Sequence, residues 1–176
     1  QVQFQKLIRL WVRYCRLNSY KDWLQIPYYD IHGNFMGIQS RYMGRDMAQP
    51  RFRFPRGKGC HIYNMQVLKM LTPAEDLYIA EGCSDCWALL SAGHKTMAIP
   101  SATLLDTEEL KNALVKANLV ENRNTLHVYP DQDMAGESLY EKLHAVATDV
   151  GIPLVRHNLP SGCKDFSDFW ISQQNT

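Results

Sequence analysis

Apolar and polar residues alternate along this chain with two different periods. Over residues 3–18 the apolar positions are Phe4, Leu7, Ile8, Trp11, Val12 and Cys15. That i, i+3, i+4 spacing predicts an amphipathic helix, with Lys6, Arg9, Arg13 and Arg16 on its polar face. Residues 26–54 read as extended. Residues 26–31 and 35–42 flank a turn at His32-Gly33-Asn34, which predicts a hairpin. From residue 66 the pattern alternates between short apolar runs and longer amphipathic stretches. Helices are expected over 66–71, 84–92, 106–120, 135–149 and 165–172, with strands at 77–80, 96–99, 125–129 and 154–159. Strands alternating with helices of this length predict parallel βαβ units. The internal boundary is expected near residues 60–72, dividing the chain into 1–65 and 66–176.

A length of 176 residues suits one domain, or one domain with a small appendage. No run of eighteen apolar residues predicts a membrane span. The first stretch is broken by charge, so it does not read as a signal peptide. Five cysteines at irregular spacing fit a reducing cytosol better than a disulfide framework, and a cytoplasmic protein is expected. The chain opens on Gln rather than Met and reads as a fragment of a longer protein.

The net charge of +1 hides an asymmetry. Residues 1–70 carry twelve Lys/Arg against three Asp/Glu, a net +9; residues 71–176 carry seven against fifteen, a net −8. A basic half joined to an acidic half suits a polyanion on one side and metal ions on the other. Residues 41–58 hold six basic residues and one acid, interleaved with Tyr42, Phe52 and Phe54. Those aromatics suit base stacking or, more simply, the inward side of a sheet.

Two acidic motifs carry the chemistry. Glu81-Gly82-Cys83-Ser84-Asp85 and Asp131-Gln132-Asp133-Met134-Ala135-Gly136 each follow a predicted strand and open a predicted helix. In an open parallel α/β sheet such strand ends share one edge, where ligands bind. Glu81, Asp131 and Asp133 would then repel one another unless a cation sits among them. Hard oxygen donors in that arrangement suit Mg²⁺ or Mn²⁺. An isolated Asp-x-Asp is weak evidence, being more often a solvated cap; the second motif on the same edge strengthens it. Cys83 and Cys86 invite a redox or zinc reading, yet no second cysteine pair has ligand spacing, so buried neutral thiols are expected. The six histidines form no HExxH-like pairing. A phosphatase of the HAD type would want Thr or Val at the fifth position of its Asp-x-Asp motif, where Ala135 stands.

Ile79-Ala80-Glu81-Gly82-x-x-Asp85, followed by a strand ending in Asp131-x-Asp133-x-Ala135-Gly136, is similar to the TOPRIM domain. That domain is shared by DnaG-type primases, topoisomerases and certain nucleases. Ala98-Ile99-Pro100-Ser101-Ala102-Thr103, Gly37-Ile38-Gln39-Ser40-Arg41, Pro50-Arg51-Phe52 and the closing Leu159-Pro160-x-Gly162-x-Lys164-Asp165-x-x-Asp168 resemble the primase branch, over roughly residues 26–170. The resemblance implies a TOPRIM Rossmann-like parallel sheet flanked by helices, with a small N-terminal α+β basic subdomain. It implies Glu81 at the reaction centre, holding metal or acting as general acid/base. Asp131 and Asp133 would bind Mg²⁺ or Mn²⁺, and Asp165 with Asp168 would complete the cluster. Gly82, Asp85 and Gly136 would support the motifs. Arg41 and Arg51 match basic positions that engage nucleotide or template, with Arg53, Arg56 and Lys58 as neighbours. The partners implied are single-stranded DNA template and NTPs, with a replicative helicase reached through domains absent from this chain. No zinc is expected in it. Gln132 departs from the usual glycine between the aspartates, and Asp165 and Asp168 are one residue further apart than in many bacterial primases. The expected activity is RNA primer synthesis. A metal-dependent TOPRIM nuclease, or a catalytically silent nucleic-acid-binding module, is the alternative.

Overall fold

The computed structural model describes residues 18–20, 22–55 and 60–174 of the chain. The predicted N-terminal helix lies outside the described residues, except that Asn18 already belongs to a strand. Two four-stranded sheets organise what is described. The first is an antiparallel meander of β1 (Asn18–Tyr20), β2 (Trp23–Tyr29), β3 (Phe35–Tyr42) and β4 (Phe52–Arg53). The predicted hairpin is its centre. Asp30 fixes the turn, its Oδ1 accepting from the amides of His32 and Asn34, and Gly33 supplies a φ of 88°.

A 3₁₀ turn (Met65–Met70) leads into the second, parallel sheet. Its strands are β5 (Asp76–Glu81), β6 (Thr96–Ile99), β7 (Thr125–Val128) and β8 (Leu154–Arg156), in the order β6-β5-β7-β8. The crossovers carry α1 (Cys83–Ser91), α2 (Thr107–Lys116) and α3 (Met134–Val150); α4 (Phe166–Gln173) follows β8. Tyr63 extends the β6 edge, exchanging both backbone hydrogen bonds with Ala98 at 2.7 and 3.0 Å.

The period-two alternation of β5 sorts side chains between two cores. Leu77 and Ile79 face α2 and α3, packing with Leu110, Leu114, Leu139 and Leu143. Tyr78 and Ala80 face the other way, in a core that holds Trp87 and Leu89 of α1, Phe166 of α4, and Leu24, Ile26 and Tyr28 of the antiparallel sheet. The two sheets are thus joined by shared apolar burial. A buried polar contact adds direction: the Tyr28 hydroxyl donates to Gln39 Oε1 at 3.0 Å, and Cys83 Sγ lies 3.6 Å from the same oxygen.

Two elements are shorter than the apolar pattern predicts. α2 stops at Lys116, because Asn118 takes a left-handed φ of 54° and ends the turn. β8 stops at Arg156, where only the His157 amide still reaches β7, donating to Val128 O at 2.9 Å. Beyond it Leu159 turns inward to the second core.

Candidate metal site and nucleic-acid face

Strands β5 and β7 run parallel in register, so their C-terminal ends deliver both acidic motifs to one edge. Gly82 makes the exit from β5 with φ 83°, its amide donating to Ile99 O at 2.7 Å. That leaves Glu81 half-buried at the strand tip. One carboxylate oxygen accepts from the Ala102 amide at 3.3 Å. The other, Oε2, is buried with no hydrogen-bond partner. Burial raises the Glu81 pKa, and Asp133 adds to the rise.

Asp131 and Asp133 differ in their surroundings. Asp133 caps α3: its Oδ1 accepts from the amides of Ala135 and Gly136, each at 3.0 Å. Those amide bonds, that of Gly136 foremost, lower its pKa and keep it ionised. Asp131 is more enclosed. Burial, then Glu81 and Asp165, push it up to about 7. Gly136 is what allows this close approach, since a Cβ there would lie 2.1 Å from the Asp131 carbonyl oxygen. The glycine of the second motif is therefore a packing requirement.

Asp165 caps α4, its Oδ1 accepting from the Asp168 amide at 2.8 Å. It remains within electrostatic reach of Asp131 and Asp85. Asp168 is turned back onto the helix start, where its Oδ2 accepts from the Lys164 amide at 3.3 Å. The arrangement resembles a reciprocal capping box. Asp85 does more than its place at the start of α1 indicated. Its Oδ1 accepts from both the amide (2.8 Å) and hydroxyl (2.5 Å) of Ser167, tying α1 to α4. Burial, with Asp165 next, pushes Asp85 up to about 7.

Glu81, Asp131, Asp133 and Asp165 are thus electrostatically coupled at one edge. Among the described residues, no three carboxylate, imidazole or thiolate groups are gathered tightly enough to hold an ion as they stand. The donor chemistry nevertheless fits a hard divalent cation. The partnerless Glu81 Oε2 and the raised pKa of Asp131 both mark negative charge that a cation would relieve. A cation is already close by: Lys164 Nζ is 3.7 Å from Asp131 Oδ2 and 3.4 Å from Asp133 Oδ2. Lys164 belongs to the closing motif, where no linear pattern marks it for a role at the site.

The arginines sit on the antiparallel sheet. Arg41 pairs in register with Leu24 and Phe52, and its guanidinium lies 5.4 Å from the Phe52 ring centre. Arg51 approaches the same ring at 5.7 Å, and Arg53 covers Trp23 at 4.2 Å. Phe52 and Phe54 are partly buried against the second core, so their inward faces pack rather than stack on ligand. Arg41 lies within electrostatic range of Asp85 and Asp165, linking the basic sheet to the acidic edge. Arg56 and Lys58 lie outside the described residues. Cys83 and Cys86 are buried thiols, Cys83 pushed up to about 12 by that burial.

A family model described as Toprim-like matches residues 78–170. Among solved structures, the chain is similar to a DNA primase domain from Pseudomonas aeruginosa, with 18% identity and a TM-score of 0.65, covering 89% of this chain and 49% of that one. It is similar to the E. coli primase catalytic core at 19% identity and TM-score 0.65, covering 89% and 53%. It is also similar to a DnaG primase catalytic domain bound to single-stranded DNA, at 19% identity and TM-score 0.63, covering 90% and 52%. At these identities the likeness is one of fold, and the chain spans about half the length of those structures. No curated protein matches it.

Proposed function

The chain belongs to the Toprim-like family, and we propose that it is part of the catalytic core of a DnaG-type primase, joining NTPs into short RNA on a single-stranded DNA template. The observation that carries this reading is the pairing of two faces. Coupled carboxylates, one with a buried partnerless oxygen, lie at the edge of the parallel sheet, and an arginine-bearing sheet packs beside them through the second core, with Arg41 in electrostatic range of Asp85 and Asp165. Fold likeness to primase cores supports it.

In this reading Asp131, Asp133 and Asp165 hold Mg²⁺ or Mn²⁺, which when bound supplies charge to activate the attacking 3′-hydroxyl and offset the triphosphate. Glu81 contributes its free Oε2 to the same ion or takes the hydroxyl proton; burial raises its pKa, which makes it a stronger base. Asp133, ionised and fixed by two amides, is the rigid ligand. Asp85 holds α4, and with it Asp165, in place. Arg41, Arg51 and Arg53 take phosphate charge of template or nucleotide, with their guanidinium planes held over aromatic rings. Asp168 serves the helix start.

The test is single-stranded DNA with labelled NTPs and Mn²⁺ or Mg²⁺, comparing the wild-type chain with Asp131→Ala plus Asp133→Ala. New short RNA that vanishes in the variant is the expected result. Degraded template without product would move the assignment to a TOPRIM nuclease, and binding without either reaction to a silent module.

A further inference from the structure

The loop before α4 holds its backbone and its charge by separate means. The Gln132 amide donates to Lys164 O at 2.9 Å, and Gln132 Nε2 donates to Leu159 O at 3.0 Å. Both bonds stitch the loop to the turn between the two aspartates, while the Lys164 amide, on Asp168, ties it to the start of α4. None involves the Lys164 side chain. That side chain is 61% exposed and reaches back so that Nζ stands 3.4 and 3.7 Å from the outer oxygens of Asp133 and Asp131. Both separations are longer than a good charge-assisted hydrogen bond. This is a loose ion pair on a flexible stem, bound to the two carboxylates that the proposed function gives to a metal.

We propose that Lys164 is the resident counter-ion of the site. A divalent ion must displace its ammonium to reach Asp131 and Asp133, and the displaced ammonium then meets the phosphates of the incoming nucleotide. Lys164 thus sets metal affinity and positions the triphosphate. A point charge with three rotatable donors suits that exchange better than a bidentate guanidinium would. A unit charge about this far from its partners in a high-dielectric setting is worth roughly five- to tenfold in an equilibrium constant. The inference rests on the metal-site reading above.

The experiment is Mn²⁺ titration of the full chain, with free ion followed by electron paramagnetic resonance, for wild type, Lys164→Gln and Lys164→Arg. Binding of ATP at saturating Mn²⁺ is measured in parallel. Lys164→Gln removes charge from an exposed side chain and leaves the loop's backbone bonds intact. It is expected to tighten Mn²⁺ binding about five- to tenfold and to weaken ATP binding, while Lys164→Arg, which keeps the charge, does not tighten Mn²⁺ binding. Mn²⁺ affinity unchanged or weakened in Lys164→Gln would overturn the counter-ion role, and unchanged ATP affinity the phosphate role. Wild type that binds no Mn²⁺ would overturn the metal site and this inference together. Wild type that binds Mn²⁺ with no response to the substitution overturns this inference alone.

Discussion

Replacing Asp85 with Asn tests the electrostatics of the site without touching a proposed metal ligand. Asp85 is 7% exposed, and its pKa moves from 3.8 to about 7 on folding, chiefly through burial. Between those values the native state holds a proton that the unfolded chain has lost, so stability falls as pH rises through the window and levels off above about 7. A shift of about three units corresponds to roughly 4 kcal/mol at full ionisation. That is a large part of the roughly 5–15 kcal/mol that holds a domain folded. Asn keeps the oxygen that accepts from the Ser167 amide and hydroxyl and removes the charge. Its second amide proton brings a demand of its own, so about 2 kcal/mol is expected to be recovered at pH 8. The assay is urea unfolding in EDTA from pH 4 to 8, comparing wild type with Asp85→Asn. A gain of about 2 kcal/mol moves the midpoint upward by about 1 M. Near pH 4 the variant should instead be about 2 kcal/mol less stable than wild type, because residue 85 is then neutral in both native states and only the cost of the second amide proton remains. A variant less stable than wild type at pH 8, or a difference that does not change with pH, would refute the reasoning.

Gly136→Ala should misplace Asp131, because its Cβ would meet the Asp131 carbonyl at 2.1 Å; a loss of about 1–3 kcal/mol in unfolding free energy and reduced Mn²⁺ binding are expected by denaturation and titration. Substituting Arg41, Arg51 and Arg53 singly by Gln should weaken single-stranded DNA binding and lower the slope of log K against log salt by up to about one per arginine; unchanged slopes in a fluorescence-anisotropy series would remove them from the interface. His157 and His94 stack on Tyr78 with His127 between β5 and β8, and burial with the neighbouring His127 depresses both pKa values below 6.5. The unfolded chain therefore binds more protons as pH falls through 6.5, and stability should drop there. His157→Phe should flatten that step in thermal melts between pH 5 and 7.5.

The βαβ alternation was legible because β5 and β6 are short continuous apolar runs, buried on both faces, set between longer amphipathic stretches. Leu77 and Ile79 fill one core and Tyr78 and Ala80 the other, so both faces of β5 are apolar. The acidic edge was legible as well: β5 ends at Glu81, β7 leads within three residues to Asp131, and parallel register leaves them no other edge to share. What a linear reading missed are contacts across long separations. Asp85 meets Ser167 eighty-two positions away, and no local pattern marks that pair. Lys164 stood in plain view inside the closing motif, yet its reach to Asp131 and Asp133 depends on how the loop is stitched to Gln132. The family pattern groups Asp168 with the metal ligands. Its i+3 spacing from Asp165 is equally a capping signature, and in the fold its carboxylate is on the Lys164 amide.

The charge asymmetry gains its meaning from how the two sheets pack. Among the described residues, Arg41, Arg51 and Arg53 of the antiparallel sheet would do little for the acidic edge if the two sheets lay apart, since exposed charges beyond about 8 Å are screened at physiological salt. Shared burial of Leu24, Ile26 and Tyr28 with Trp87 and Phe166 brings them together. Arg41 ends up half-buried, its charge opposed by desolvation and Arg51 and supported by Asp85 and Asp165. A buried arginine facing buried acids costs solvation on both sides, and such pairs seldom add net stability. Here the second core supplies the cohesion, and the charges are left disposed around one edge. An anion lying along the arginines would therefore have its phosphates beside the carboxylates that can hold its counter-ions. A cation entering that edge would ease the repulsion raising Asp131 and Glu81. Metal and polyanion should consequently bind with positive coupling, each tightening the other by the same factor.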